Sequence, residues 1–431
     1  MFLNVVYVFA WLVASPWLVW RAFTQRKHRR GWSAKLLGRV SHPLLEGNSR
    51  PVAWFHGVSV GEIHLLRAFV TRFRQRRPDW LCVVSTTTET GYDEAAKHFA
   101  DLPVIFFPFD FTWAVDAAFD RVQPRLVVLS EGEIWPNFLR IAQRRSIKLA
   151  LVNARMSPRS AKRFLKFRWL VSRLFAAFDF IGAQNAEYAG HYESLGGRNV
   201  VVTGNLKYDG ASAHPPKAAA MRRLLGLADD ALVWVAGSTQ EPEESVSLDI
   251  YRNAKRLHPS LRLILVPRHP ERFDEVAKLL QASGLPFVRR SALDESSAIP
   301  PDAILLGDTM GELSALWGLA DVAYVGGSLD GKRGGQNMIE PAACGAAVLF
   351  GPHTWNFKET VAHLLRHAAA VQVADADALR EQVLRLLADA ALRHQLGEAA
   401  SNFVLTQQGA TTKTLDALDS LLPANEARQA A

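Results

Sequence analysis

The sequence predicts an α/β protein of two consecutive Rossmann-like domains, each built on an open parallel sheet, with a cleft between them. Three observations carry that expectation. Short apolar runs that end in small or polar residues alternate with helical patterns, as buried parallel strands do. The alternation pauses once, at the Pro/Ala/Ser-rich stretch DGASAHPPKAAA (209–220), and then restarts. Finally, 431 residues at 49% hydrophobic and 21% charged exceed what one core usually organises, and they exclude a disordered chain.

Taken in order, the first half offers strands at PVAWFH (51–56), LCVVSTT (81–87), PVIFFPF (103–109), RLVVLSE (125–131), KLALVNA (148–154), FDFIGAQ (178–184) and VVVTGN (200–205). Helical stretches at 61–76, 135–145 and 185–195 lie between several of them. The second half offers ALVWVAGS (231–238), LRLILVPRH (261–269), AILLGD (303–308), DVAYVGGS (321–328), AAVLFGPH (346–353) and AAVQVAD (369–375). The resulting division is an anchor (1–22), a basic connector (23–50), a first domain (51–208), a linker (209–220), a second domain (221–422) and a tail (423–431). Cys82 and Cys344 are the only cysteines. Each sits in an apolar run, which excludes a disulfide framework and a cysteine zinc site and fits a reducing compartment.

The net charge of +8 comes from two places. Residues 1–40 carry seven Lys/Arg and no acid, and Ile134–Phe178 carry eleven, again without an acid; the rest of the chain is acidic. Phe2–Trp20 is free of charge for 19 residues, about the length that spans a bilayer core as a helix. The cations follow it, so the positive-inside rule places the remainder in the cytoplasm. The alternatives are a cleaved signal peptide, disfavoured by the lack of a basic n-region and by the long apolar stretch, and a helix that only dips into one leaflet, favoured by Asn4, Ser15 and Pro16. In the second basic block, RMSPRSAKRFLKFRWLVSRLF (155–175) interleaves Arg159, Lys162, Arg163 and Lys166 with Phe164, Phe167, Trp169 and Leu170. That composition suits anionic lipid headgroups as well as an ordinary solvated helix face. Nucleic acid is disfavoured by the anchor and by the acidic remainder.

Several loops carry chemistry. In HGVSVGEIHLL (56–66), Glu62 falls in a first helical turn, either as an ordinary acidic N-terminal residue or as a general base. SEGEIWP (130–136) sets Glu131 and Glu133 at a strand end, and GNLKYD (204–209) adds Lys207. In the second half, GSTQEPEE (237–244, with Ser238 and Thr239), PRHPERF (267–273, with Arg268 and His269), GDTMGEL (307–313) and GGSLDGKRGGQNMIEP (326–341) each follow a strand and lead into a helix. Four such loops at one sheet edge suit a nucleotide, with glycine N–H groups for phosphate, Arg268 for charge and Glu340 for a ribose. Neither a G-x-G-x-x-G nor a P-loop pattern occurs. The single D-x-D, Asp375 to Asp377, reads as a helix N-terminus, so no metal is expected.

HGVSVGE, SEGEIWPN, LVNARMSPRS, GNLKYD, GSTQEPEE, PRHPERF, GDTMGEL and GGS followed by GGQNMIEPAACG resemble, in order and across almost the whole chain, the 3-deoxy-D-manno-octulosonic acid (Kdo) transferases of lipopolysaccharide synthesis. The resemblance implies a GT-B glycosyltransferase fold with an acceptor domain, a CMP-sugar domain and a C-terminal helix that crosses back. It implies transfer of Kdo from CMP-Kdo to a phosphorylated, tetra-acylated lipid A precursor at the inner membrane. By the same resemblance Glu62 matches the general base, and Glu131 and Lys207 match transition-state stabilisers. Arg268, His269, Met310, Gly311, Glu312, Asn337 and Glu340 fall in segments that hold CMP. The family usually has His where Gln336 stands, and E-T-E where Gly132 separates the two glutamates. The rival readings are a GT-B transferase that uses a UDP-sugar and a catalytically silent lipid-binding relative.

Overall fold

The computed structural model describes residues 3–9, 12–13, 30–228, 230–294, 297 and 299–423. The chain divides into two units: one runs to Gly210 and resumes at Gln408, and the other is Ala211–Gln407.

In the first unit seven parallel strands form one sheet in the order β3-β2-β1-β4-β5-β6-β7. They are β1 (Val52–His56), β2 (Leu81–Thr86), β3 (Val104–Phe106), β4 (Pro124–Ser130), β5 (Lys148–Ala154), β6 (Phe180–Ala183) and β7 (Val200–Val202). All seven coincide with apolar runs of the sequence. Residues on the central strands alternate between two cores, as the period-two geometry of a strand requires. Trp54, Val127 and Leu149 point to one face, and Phe55, Val128 and Ala150 to the other.

In the second unit the order is β10-β11-β9-β8-β12-β13-β14, again all parallel. The strands are β8 (Val233–Thr239), β9 (Arg262–Pro267), β10 (Phe287–Arg289), β11 (Ile304–Leu306), β12 (Val322–Val325), β13 (Ala347–Phe350) and β14 (Val371–Gln372). One strand, β10, was not expected from the sequence: it is a three-residue edge strand that ends in Arg289 and is nowhere fully buried. Its apolar residues, Phe287 and Val288, are cut short by Arg289 and Arg290. Asp375 caps the helix Ala376–Ala388 by accepting from the Ala378 N–H at 2.9 Å, so the D-x-D is a helix start.

The expected second domain (221–422) and the observed unit differ at the C-terminus. The helix Ala410–Leu421 buries Ala410, Leu415 and Leu418 in the same core as Phe55 and Phe69 of the first unit. Asp209 receives the Gly409 N–H at 2.7 Å and also that of Thr411, and Tyr208 O receives Gln408 Nε2 at 3.1 Å. This is the crossing helix that the resemblance implies.

Of the expected anchor, residues 3–9 are helical, whereas 1–2, 10–11 and 14–29 lie outside the described residues, as do 424–431 of the tail. Among the described residues no helix is long and apolar enough to cross a membrane, so the spanning anchor is not confirmed. Asn4 donates to Thr112 Oγ1 at 2.7 Å and Tyr7 to Asp110 Oδ2 at 2.9 Å, while Val5 and Phe9 stay exposed. The polar side of this segment is thus bound to the first unit and its apolar side faces out.

Candidate active site

Glu62 lies in the first turn of the helix Val60–Arg76, which starts immediately beyond β1. Ser59 caps the helix, and Ser59 with Glu62 makes the S-x-x-E pattern that satisfies free N–H groups at a helix start. The carboxylate accepts from Val58 N at 2.9 Å and from the Ser59 hydroxyl at 3.2 Å. It also accepts from the Ser130 hydroxyl at 2.7 Å, across the sheet from the end of β4. Ser130 has one proton and a second acceptor, His56 O at 3.1 Å, so its bond to Glu62 is made at the cost of the other. His56, fully buried and stacked on Phe107, is held neutral because burial pushes its ring down to about 3.

Directly beyond β4, Glu131 adopts φ 57, a left-handed conformation that costs a non-glycine residue of order 1–3 kcal/mol and collects at functional sites. Its carboxylate, 13% exposed, meets Arg155 Nε at 2.9 Å and Lys207 Nζ at 3.2 Å. The chain reaches Lys207 through a turn in which Asn205 Oδ1 takes the Lys207 N–H and Asn153 Oδ1 takes that of Leu206, both at 3.0 Å. Glu133, half-buried, accepts from Trp135 Nε1 at 2.8 Å. Burial first, and then the negative charge of Glu62, push its carboxyl up to about 7. The three residues predicted from sequence, Glu62, Glu131 and Lys207, therefore follow the C-terminal ends of β1, β4 and β7; Ser130, next to Glu131, reaches Glu62, and Arg155 and Lys207 both reach Glu131. In the sequence Glu133 reads as a strand-end carboxylate and Arg155 only as part of a basic block. Glu133 shares the SEGEIWP motif with Glu131, whereas nothing in the sequence marks Arg155 as a partner, because it comes from a different stretch of chain.

In the second unit the four loops gather along neighbouring strands, β11, β9, β8 and β12. Ser238, at the end of β8, has φ 55. Thr239 is fully buried with its hydroxyl on Val266 O at 3.4 Å, so its side chain braces β8 against β9. Arg268 and His269 are exposed beyond β9, and Arg268 Nε donates to Gln336 Oε1 at 3.1 Å. His269 is pushed down by partial burial and then by the Arg268 charge. Met310 is exposed, Gly311 has φ 81, and Glu312 is tied to Arg290 at 2.9 Å and to the Thr309 hydroxyl. Asn337 Nδ2 donates to Glu340 Oε1 at 3.0 Å, and burial pushes the Glu340 carboxyl up.

Glu243, a residue the sequence does not single out, ties this loop cluster together. Its buried carboxylate accepts the N–H groups of Gly327 (2.7 Å), Gln240 (2.9 Å), Ser328 (3.0 Å) and Leu329 (3.2 Å) and the Tyr324 hydroxyl (2.7 Å). Gly326 is needed beside it. A Cβ there would lie 2.6 Å from Glu243 Oε2 and 2.7 Å from Ser238 O.

Arg159, Lys162, Arg163 and Lys166 lie exposed on the helix Pro158–Lys166, which Ser157 caps and Ala161 seats on the core. The expected single stretch is two helices, broken at Phe167 before Arg168–Phe175. Leu165, Phe167, Leu170 and above all Trp169, 78% exposed, form an apolar patch beside the cations.

Residues 26–210 match the family model of 3-deoxy-D-manno-octulosonic-acid transferase (kdotransferase). The chain is 34% identical to the 3-deoxy-D-manno-octulosonic acid transferase of Haemophilus influenzae, covering 90% of both chains. It is also 34% identical to that of Bordetella pertussis, covering 97% of this chain and 99% of the relative. Among solved structures, the C-terminal CMP-Kdo binding domain of WaaA from Acinetobacter baumannii is 32% identical, covering 44% of this chain and 96% of that one at a TM-score of 0.41. A putative UDP-N-acetylglucosamine 2-epimerase from Listeria monocytogenes, 11% identical, covers 86% of this chain and 96% of that one at a TM-score of 0.55, a likeness of fold alone.

Proposed function

The chain belongs to the 3-deoxy-D-manno-octulosonic acid transferase family and is a Kdo-transferring glycosyltransferase, and from that premise we propose that it moves Kdo from CMP-Kdo to a phosphorylated, tetra-acylated lipid A precursor with inversion at the anomeric carbon. Glu62 takes the proton from the attacking sugar hydroxyl. The hydroxyl oxygen bonds to the anomeric carbon of Kdo as the bond to CMP breaks and the phosphate oxygen keeps the electron pair. Arg155 and Lys207 flank Glu131 and offer preorganised cationic donors to the Kdo carboxylate or the acceptor phosphate. Glu131 holds both cations in place.

The observation that carries this reading is the carboxylate of Glu62, oriented by Val58, Ser59 and Ser130 beside the Glu131–Lys207 ion pair. On the donor side, Arg268, the glycine-rich 326–335 loop and Glu340 are the groups we assign to CMP, with Ser238, His269, Met310, Gly311, Glu312 and Asn337 around them. A donor with one phosphate needs less counter-charge than a diphosphate sugar, so we assign no metal to the reaction. We place the protein on the cytoplasmic face of the inner membrane. The outward apolar side of residues 3–9, the Trp169 patch and the Arg159–Lys166 cations would meet anionic lipid and the acceptor phosphates.

The test is transfer from labelled CMP-Kdo to the lipid precursor, with the product weighed by mass spectrometry. Glu62→Gln should lose about 10²-fold or more in turnover while CMP affinity and the thermal unfolding profile stay as in the parent. A near-normal turnover number in that variant refutes the assignment.

A further inference from the structure

Away from the Glu62 cluster, two neighbouring helices of the first unit bring together side chains that the reaction does not use. His64 comes from Val60–Arg76; Glu94 and His98 come from Glu89–His98, four residues apart and so on one face. Both helices bury apolar residues in the same core, Ile63 and Leu66 from one and Ala95 from the other, so their relative position is held by packing. Glu94 Oε1 lies 2.9 Å from His98 Nε2 and 3.5 Å from His64 Nε2. The three donor atoms all lie within 4.8 Å of one another.

We propose that His64, Glu94 and His98 bind a divalent transition-metal ion, zinc foremost, at a site separate from the catalytic one. Zinc bonds of about 2.0–2.1 Å in tetrahedral geometry hold neighbouring donors about 3.4 Å apart. Both distances from Glu94 are close to that value, so binding requires that His64 and His98 turn their rings toward a common centre and that His98 release the proton it shares with the carboxylate. Two imidazoles and one carboxylate favour zinc over magnesium or calcium, which take oxygen donors. His64 is 52% exposed, which leaves the remaining coordination open to water. Lys97 Nζ, 3.8 Å from Glu94 Oε2, opposes the ion, but that side chain is 73% exposed and its charge is screened.

The ion would brace two helices and take no part in transfer. His64 follows Glu62 by two residues, about 200° around the helix, so the two side chains leave on different faces. The site explains why a metal escapes sequence inspection here: no two of its ligands form a histidine pair at helical spacing, and the third arrives from another helix.

The experiment uses the full chain, freed of any affinity tag and stripped of metal. Zinc titrated against a chromophoric chelator should reveal one ion per chain, and cobalt in its place should give the visible absorption of a four-coordinate ion. His64→Gln and His98→Gln should each weaken zinc binding by about tenfold or more, and the double variant should lose the cobalt absorption. Zinc should raise the melting temperature of the parent protein and not of the double variant, while the metal-free proteins melt alike. Equal zinc affinity in parent and double variant, or no zinc binding by the parent, overturns the proposal. Neither result touches the assignment of Glu62.

Discussion

Glu133 should cost the folded protein stability above neutral pH, and Glu133→Gln should return it. The carboxyl is moved from 4.5 to about 7 by burial and then by the Glu62 charge. Between those values the unfolded chain has released the proton and the folded chain keeps it, so stability falls as pH rises through the window. Below about pH 4.5 both states are protonated and the penalty is absent; above about pH 7 it is complete. The full shift corresponds to about 3 kcal/mol at 1.36 kcal/mol per pH unit. Glu133 is only half-buried, so solvent screening reduces this, and we take about half, ~1.5 kcal/mol. For a unit of this size that is about 3–6 °C in melting temperature. The glutamine keeps the shape and can still accept from Trp135 Nε1 through its amide oxygen, so the substitution removes the charge and little else. Calorimetric scans of parent and variant at pH 4 and pH 8 measure the effect: the two should melt alike at pH 4, and the variant should melt higher at pH 8. Equal melting at both values, or a constant offset, would show that Glu133 is ordinarily solvated and that the Glu62–Glu133 repulsion is absent.

Lys207→Met should lower turnover by about 10²-fold through loss of a preorganised cation while leaving CMP binding by calorimetry unchanged; a change in CMP affinity alone would move Lys207 to the donor site. Replacing Arg159, Lys162, Arg163 and Lys166 together with Ser should weaken use of vesicle-borne acceptor and flatten its salt dependence, with CMP affinity intact. An unaltered salt response would make the helix a solvated face. Gly326→Ala should destabilise the second unit by about 1–3 kcal/mol, because the new methyl group meets Glu243 Oε2 and the Ser238 and Thr239 backbone, and circular dichroism melts of the full chain would register it. Exhaustive EDTA treatment and dialysis should leave Kdo transfer in place, measured by direct detection of labelled product. Activity that vanishes and returns only with Mg²⁺ or Mn²⁺ would reject metal-free transfer.

What the sequence determined by itself is whatever burial writes locally. Thirteen of the fourteen strands among the described residues stand as apolar runs, most of them because a central parallel strand is covered on both faces; β10 escapes, a three-residue strand that runs straight into Arg289 and Arg290. Glu62, Glu131 and Lys207 were legible as polar residues where strands end and helices or turns begin, and the order of the motifs resolved the family. Tertiary structure alone decided who stands beside whom. Strand order puts β1, β4 and β5 next to one another, and only that adjacency gives Glu62 the Ser130 hydroxyl and Glu131 the Arg155 guanidinium. The return of Ala410–Leu421 to the first unit was implied only by the family resemblance and not by periodicity, since an amphipathic stripe states that a face is buried and not which core receives it. Hydrophobic periodicity is a property of a few consecutive residues. A hydrogen bond between side chains 68 residues apart is a property of the folded chain.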